Sequence, residues 1–188
     1  MNVLISGGCK NGKSLYAQAE AKRQAGQIQK PAYYVATMIP KDEEDRARIK
    51  RHVAERDSWG FMTLEQGTDI CAILETADRG GVFLLDSITA LLSNEMFPVG
   101  GRVDLEAPER IQKELLEFAG RTGHTIFVSD FIYADAGAYD WLTEAYRRGL
   151  AQIDRALAAR CGQVTEVAYG ARICYRQGQP VKPGQENL

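Results

Sequence analysis

Eight consecutive residues, Gly7-Gly8-Cys9-Lys10-Asn11-Gly12-Lys13-Ser14, match the pattern G-x-x-x-x-G-K-[ST] at every fixed position. The chemistry open to such a segment is the grip of a polyphosphate. Glycines let successive N–H groups turn inward without Cβ clashes. A helix that starts at the end of the segment adds partial positive charge. In this pattern Gly7, Gly8, Cys9, Lys10, Asn11 and Gly12 supply backbone donors. Lys13 reaches the β- and γ-phosphates of ATP or GTP, and the Ser14 hydroxyl holds Mg²⁺.

Two acids can complete such a site. Asp86 closes the apolar run Val82-Phe83-Leu84-Leu85. A strand-terminal acid beside a phosphate loop binds Mg²⁺ directly or through water. The plainer reading is an N-cap of the next helix, but the apolar run fixes the position of Asp86 and favours the metal. Asp130 closes the run Thr125–Ser129 in the same way. It either positions a nucleophile or caps a turn.

His52 stands apart from these, among Arg48, Lys50, Arg51 and Arg56. Cationic neighbours lower a histidine pKa and keep the imidazole neutral and nucleophilic. The same cations attract a nucleotide phosphate. The plain alternative is a solvated helix face. His124 precedes a strand and reads as structural. The four cysteines, at 9, 71, 161 and 174, form no C-x-x-C pair, and the histidines do not cluster with them. That spacing argues against a zinc site or a disulfide framework, and free thiols suit a reducing cytosol. Cys9 reads as a small filler of the loop.

The elements that must position these residues follow from local pattern. Val3-Leu4-Ile5 predicts a buried strand before the loop, and Leu15–Ala21 a helix after it. Strand, glycine loop and helix is the context in which the loop motif carries meaning. Pro31–Thr37, rich in aromatic and β-branched residues, predicts a second strand. Residues 41–57 run from acidic to basic and predict a helix aligned with its dipole. With few apolar positions, it should lie largely in solvent. Thr68–Ala77 predicts a helix, and Val82–Asp86 a central parallel strand. Helices are expected over Ser87–Glu95, Ala107–Ala119 and Ala138–Ala159, and a buried strand over Thr125–Asp130. Val164–Tyr169 and Arg172–Arg176, joined at Gly170-Ala171, predict a hairpin at a sheet edge. The tail from Gly178 onward should be loose.

Alternating strands and helices mean an α/β sheet, mostly parallel and covered on both faces. Ligands of such sheets bind beyond the carboxyl ends of the strands, where the loop, Thr37, Asp86 and Asp130 should converge. The 188 residues suit one domain, residues 1–188, and the 45% of apolar residues suffice for a core. A net charge of −2 provides no global basic field to attract nucleic acid. No apolar stretch reaches the roughly 20 residues of a membrane span, and the chain enters its first strand with no signal-peptide form. These features point to a cytoplasmic protein.

The order of these motifs resembles a known family. The glycine loop precedes Tyr33-Tyr34-Val35-Ala36-Thr37. An acidic-to-basic helix follows, with the core Arg48-Ile49-Lys50-Arg51-His52 and then Arg56. Next come Phe61-Met62-Thr63-Leu64-Glu65, with Trp59 nearby, and Leu84-Leu85-Asp86-Ser87-Ile88-Thr89, continuing to Ser93-Asn94. Arg148-Gly149-Leu150-Ala151-Gln152 closes the set. Together they resemble the bifunctional adenosylcobinamide kinase / adenosylcobinamide-phosphate guanylyltransferase family of cobalamin biosynthesis. The histidine helix is the most specific part.

The resemblance implies a P-loop NTPase fold of RecA-like type, with a C-terminal antiparallel hairpin. It implies transfer of a γ-phosphate from ATP or GTP to the aminopropanol hydroxyl of adenosylcobinamide. It also implies attack of His52 on the α-phosphate of GTP, after which GMP passes to the cobinamide phosphate. Lys13 and His52 would be catalytic, and Ser14 and Asp86 would hold Mg²⁺. The loop, Thr37, Arg48, Arg56 and Glu65 would bind nucleotide. A corrinoid substrate and a homotrimer are implied as well.

The chain departs from the family at three places. Asp86 stands where the family usually has Glu. Asp130-Phe131-Ile132-Tyr133-Ala134-Asp135-Ala136-Gly137 replaces a glycine-rich N-E-V-G-like loop. Arg102 follows Gly100-Gly101 in place of an acid. These changes bear on the corrinoid side more than on the nucleotide side. Two other readings remain open: a P-loop kinase of another small hydroxyl substrate, or a nucleotide-binding regulatory module. A guanylyltransferase needs His52, and the other two do not.

Overall fold

Short runs of β-branched and aromatic residues assemble one seven-stranded sheet. The computed structural model describes residues 1–57 and 59–177, with the backbone alone at 48, 51, 52, 54–57 and 177. The strands are β1 (Val3–Gly7), β2 (Ala32–Ala36), β3 (Met62–Glu65), β4 (Val82–Asp86), β5 (Thr125–Asp130), β6 (Gln163–Ala168) and β7 (Ala171–Gln177). Their spatial order is β3-β2-β4-β5-β1-β6-β7. All neighbouring pairs are parallel except β6 and β7. That last pair turns at Tyr169 and Gly170, with φ of 52° and 77°, as a two-residue hairpin loop requires.

Helices cover both faces, as parallel strands demand. They are α1 (Lys13–Ile28), α2 (Glu43–Asp57), α3 (Ile88–Met96), α4 (Ala107–Thr122) and α5 (Trp141–Arg160). On one face, Tyr33, Val35, Phe83, Leu85 and Phe127 pack with Ile111, Leu115 and Phe118 of α4 and with Leu150, Ile153 and Leu157 of α5. On the other, Val3, Ile5, Tyr34, Leu84, Ile126 and Val128 meet Ala17, Ala21 and Ala25 of α1. The i, i+4 spacing puts these alanines on one stripe of α1. Their small side chains let α1 lie close to the sheet, so its N-terminus sits directly above the end of β1.

Three expectations change in the structure. Residues 68–77 form a short 3-10 helix, Ile70–Glu75, instead of an α-helix. It is entered through Asp69 at φ 47°. Its Ile70, Ile73 and Leu74 are buried, a spacing that either helix type satisfies. The strand β3 was not anticipated. Three of its four residues are exposed, and as an edge strand paired with β2 alone it shows no alternation that a pattern could reveal. The last helix starts at Trp141, because the Asp140 side chain caps it by accepting from the N–H groups of Leu142 and Thr143. In α2, Glu43 and Glu44 are exposed and Val53 is 43% exposed. The tail from Gly178 lies outside the described residues.

Candidate active site

The loop between β1 and α1 is closed by contacts that glycine makes possible. Gly7 has φ 153°, and a Cβ there would stand 2.2 Å from the Val167 carbonyl oxygen. The Asn11 side chain also donates to the Val167 carbonyl, so the end of β6 braces the loop. Gly12 caps α1 at φ 91°, with no side-chain cap and no acid in the first turn. Side chains therefore leave the first-turn N–H groups largely to an anion, the one side-chain contact among the described residues being the Lys13 N–H donating to Asn11 Oδ1 at 3.3 Å. Gly8, Cys9 and Lys10 are exposed along the same rim.

Lys13 is only 7% exposed. Its ammonium donates to the Gly8 carbonyl at 2.6 Å and pairs with Asp130 Oδ1 at 2.9 Å. Register explains the pairing, since Gly7 lies opposite Asp130 in the β1–β5 ladder. The Phe131 N–H donates to the Gly7 carbonyl at 3.0 Å, and the Asp130 N–H donates to Thr89 Oγ1 at 2.9 Å. The carboxylate of Asp130 is thereby locked beside Lys13.

Asp86 ends β4, the strand next to β5. Its Oδ2 accepts from the Tyr34 hydroxyl at 2.8 Å. No ion pair with a Lys or Arg engages it among the described residues. It therefore remains an oxygen donor at the carboxyl end of the sheet, and it and the Ser14 hydroxyl are oxygen ligands of the kind Mg²⁺ prefers.

Thr37 is fully buried. Its Oγ1 donates to the Ser87 carbonyl at 2.8 Å and accepts from the Ser87 N–H at 2.7 Å. Asn94 Nδ2 donates to the Thr37 and Gly67 carbonyls at 2.7 and 2.9 Å. The hydroxyl of Thr37 is thus spent on holding the β2–β4 corner, which sets the exit of Asp86. Ser87 caps α3 by accepting from the Ala90 N–H, so the capping role weighed for Asp86 falls to its neighbour.

The loop, Thr37, Asp86 and Asp130 do converge at adjacent strand ends. Glu65 is exposed at the end of edge strand β3. Arg48, His52 and Arg56 occupy α2, which follows β2, and their side chains lie outside the described residues. Sequence reasoning missed Thr89, Tyr34 and the Asn11 clamp. It had no signal for them, because each acts through a partner distant in the chain.

Behind Asp130, a second network ties β5 to α5. Asp154 Oδ2 accepts from Ser129 Oγ at 2.7 Å and from the Tyr133 hydroxyl at 3.0 Å. Burial pushes the Asp154 carboxyl up to about 6, with the Asp130 charge adding to it and the two hydroxyls opposing. Burial likewise raises Tyr146, again with help from Asp130. His124 sits 2.5 Å from the Met1 amine at the opposite ends of the strands, in line with a structural role. The four cysteines are free.

Comparison with known proteins agrees with this geometry. Residues 3–174 match the family model of cobinamide kinase / cobinamide phosphate guanyltransferase. The bifunctional adenosylcobalamin biosynthesis protein CobP of Pseudomonas aeruginosa is 30% identical over 186 residues, which cover 96% of this chain and 100% of that protein. The bifunctional adenosylcobalamin biosynthesis protein CobU of Salmonella typhimurium is 32% identical over 107 residues, 56% of each chain. Among solved structures, the flagellar accessory protein FlaH of Methanocaldococcus jannaschii superposes with a TM-score of 0.51 at 12% identity, covering 94% of this chain and 78% of its own. The ATPase domain of G40P gives 0.52 at 11%, covering 88% and 68%. These two likenesses speak for the P-loop fold alone. The family match spans residues 3–174, a range that includes the phosphate loop, the histidine helix and both strand-end acids, and the chain belongs to the cobinamide kinase / cobinamide phosphate guanyltransferase family.

Proposed function

We propose that this chain carries both activities of its family in cobalamin biosynthesis. It phosphorylates the aminopropanol hydroxyl of adenosylcobinamide, then transfers GMP from GTP to the resulting phosphate. One observation carries the reading: a phosphate loop with Lys13 buried beside a strand-end acid, in a chain whose family match also spans α2 and His52.

In the first step the hydroxyl oxygen forms a bond to the γ-phosphorus of ATP or GTP. The bond to the bridging oxygen breaks, and its electron pair leaves with the diphosphate. Lys13 offsets the charge that builds on the phosphoryl oxygens. Ser14 and Asp86 hold Mg²⁺, which supplies further neutralisation of the phosphates. In the second step the neutral His52 imidazole attacks the α-phosphorus of GTP and expels pyrophosphate. A phosphate oxygen of the corrinoid then displaces the imidazole and receives GMP. The covalent relay splits one hard displacement into two.

Gly7, Gly8, Cys9, Lys10, Asn11 and Gly12 line the phosphates, with Arg48, Arg56 and Glu65 on the α2–β3 side. Thr37 acts by shaping the β2–β4 corner. The chain works as one nucleotide-binding domain, and as a homotrimer in the cytoplasm. Free thiols support the compartment. Exposed Val99, Trp141 and Tyr175 offer apolar surface that association would cover. No described helix is long and apolar enough to cross a membrane.

The test is intact-protein mass spectrometry after incubation with GTP and Mg²⁺. A GMP-sized, acid-labile mass gain is expected in the wild type and absent from His52→Ala, which still binds nucleotide. An unchanged adduct in the variant refutes the covalent role. Lys13→Ala should weaken both steps, and full kinase activity in that variant would contradict its assignment.

A further inference from the structure

We infer that Asp130 is the proton acceptor for the hydroxyl that attacks the γ-phosphate. The inference deepens the kinase half of the function proposed above and rests on that reading.

Position is the first ground. Lys13 is the side chain that reaches the β- and γ-phosphates in this loop type, and Asp130 Oδ1 lies 2.9 Å from its ammonium. The carboxylate is thus one hydrogen bond away from the group that marks the transferred phosphoryl. Accessibility is the second. The Asp130 side chain is 25% exposed while Lys13 is 7% exposed, so an acceptor can approach the acid from the solvent side. Its Oδ2 takes no hydrogen bond among the described residues. Rigidity is the third. The flanking N–H groups are held by Thr89 Oγ1 and the Gly7 carbonyl, which fixes the carboxylate relative to the loop itself.

The other strand-end acid does not compete for the role. Asp86 accepts from Tyr34 and ends β4, a strand that does not neighbour β1. The remaining acid nearby, Asp154, is 4% exposed and engaged by Ser129 and Tyr133. Among the described residues, Asp130 alone combines proximity to Lys13 with an open oxygen.

The step balances. The acceptor O–H proton passes to Asp130 Oδ2 as the new O–P bond forms and the γ-phosphorus to bridging-oxygen bond breaks. The electron pair departs on the β-phosphate, and Asp130 later returns its proton to water.

The experiment compares the wild-type full chain with Asp130→Asn and Asp130→Glu. Three readouts run in parallel: phosphoryl transfer to adenosylcobinamide, the GMP adduct on His52, and the affinity for a fluorescent GTP analogue. General-base loss removes about 10²–10⁴-fold of rate. Asp130→Asn should therefore lower kcat for phosphoryl transfer about 100-fold or more while the acceptor KM moves by less than about 3-fold. The adduct should form as before, and nucleotide affinity should hold or tighten, since a competing anion is gone. Asp130→Glu should recover part of the rate. A kcat within about 3-fold of wild type in Asp130→Asn overturns the inference. So does parallel loss of adduct and affinity, which would mark Asp130 as merely structural. If the wild type binds GTP and forms the adduct but leaves adenosylcobinamide unphosphorylated, the functional reading has failed. Asp130 is then judged by GTP hydrolysis with water as the acceptor, where the same loss in Asp130→Asn is expected and an unchanged rate refutes it.

Discussion

Replacing Asp154 with Asn should stabilise the protein at alkaline pH and destabilise it modestly in acid. The carboxyl is 4% exposed and stands at about 6 against an ordinary 3.8, chiefly because burial disfavours the charged form. One pKa step is worth about 1.4 kcal/mol, so the ionised group costs the fold about 3 kcal/mol. The folded acid keeps its proton to higher pH than the unfolded chain does. Stability from this group is therefore full below about pH 4, falls as pH rises from about 4 to about 6, and stays low above that. An Asn at 154 keeps an acceptor for Ser129 and Tyr133 and carries no charge. Its amide NH₂ takes the place of Oδ1, which has no hydrogen-bond partner among the described residues, and that donor recovers less than the full penalty. A net gain of about 1–2 kcal/mol at pH 8 is expected, about 2–8 °C in Tm for a chain of this size. Thermal melts of both proteins at several pH values from 4 to 8 provide the measurement. The two Tm curves should cross between about pH 4 and pH 6, with the variant below the wild type at pH 4 and above it at pH 8. Parallel curves, or an Asn variant weaker at pH 8 than at pH 4 relative to wild type, would refute the reasoning.

Three further outcomes are expected. Asn94→Ala strips the Thr37 and Gly67 carbonyls of their donor and should cost about 2 kcal/mol in urea denaturation, with weaker Mg²⁺-dependent nucleotide binding as the Asp86 corner loosens. Gly7→Ala puts a methyl 2.2 Å from the Val167 carbonyl oxygen. Calorimetric titration with GTP should show affinity lost or reduced by at least about 10-fold, because the loop must shift away from β6. Phe118→Ala, at a fully buried position packed edge-to-face on Phe83 at 5.2 Å, should cost about 3–5 kcal/mol by the same denaturation measurement.

The phosphate loop, the central strands and the alternating α/β plan were legible in the sequence, because each is written in contiguous residues. Glycine spacing, apolar runs of five or six residues and the acids that end them are local signals, and parallel strands buried on both faces turn them into position directly. The hairpin was legible for the same reason, through its turn at Gly170. The edge strand β3 was not, since three exposed residues in four leave no period to read.

The site shows the same division. The sequence by itself determined which groups stand at the carboxyl ends of the strands: Lys13, Ser14, Asp86 and Asp130. Only the tertiary structure decided what each of them meets. The order β4-β5-β1 and the register Gly7 opposite Asp130 bring Lys13 to Asp130. The β2–β4 pairing turns Thr37 inward onto Ser87, and α5 buries Asp154 behind Ser129. Such contacts join residues tens to more than a hundred positions apart. They follow from strand order and from how helices pack on the finished sheet, quantities that no local window of the chain contains.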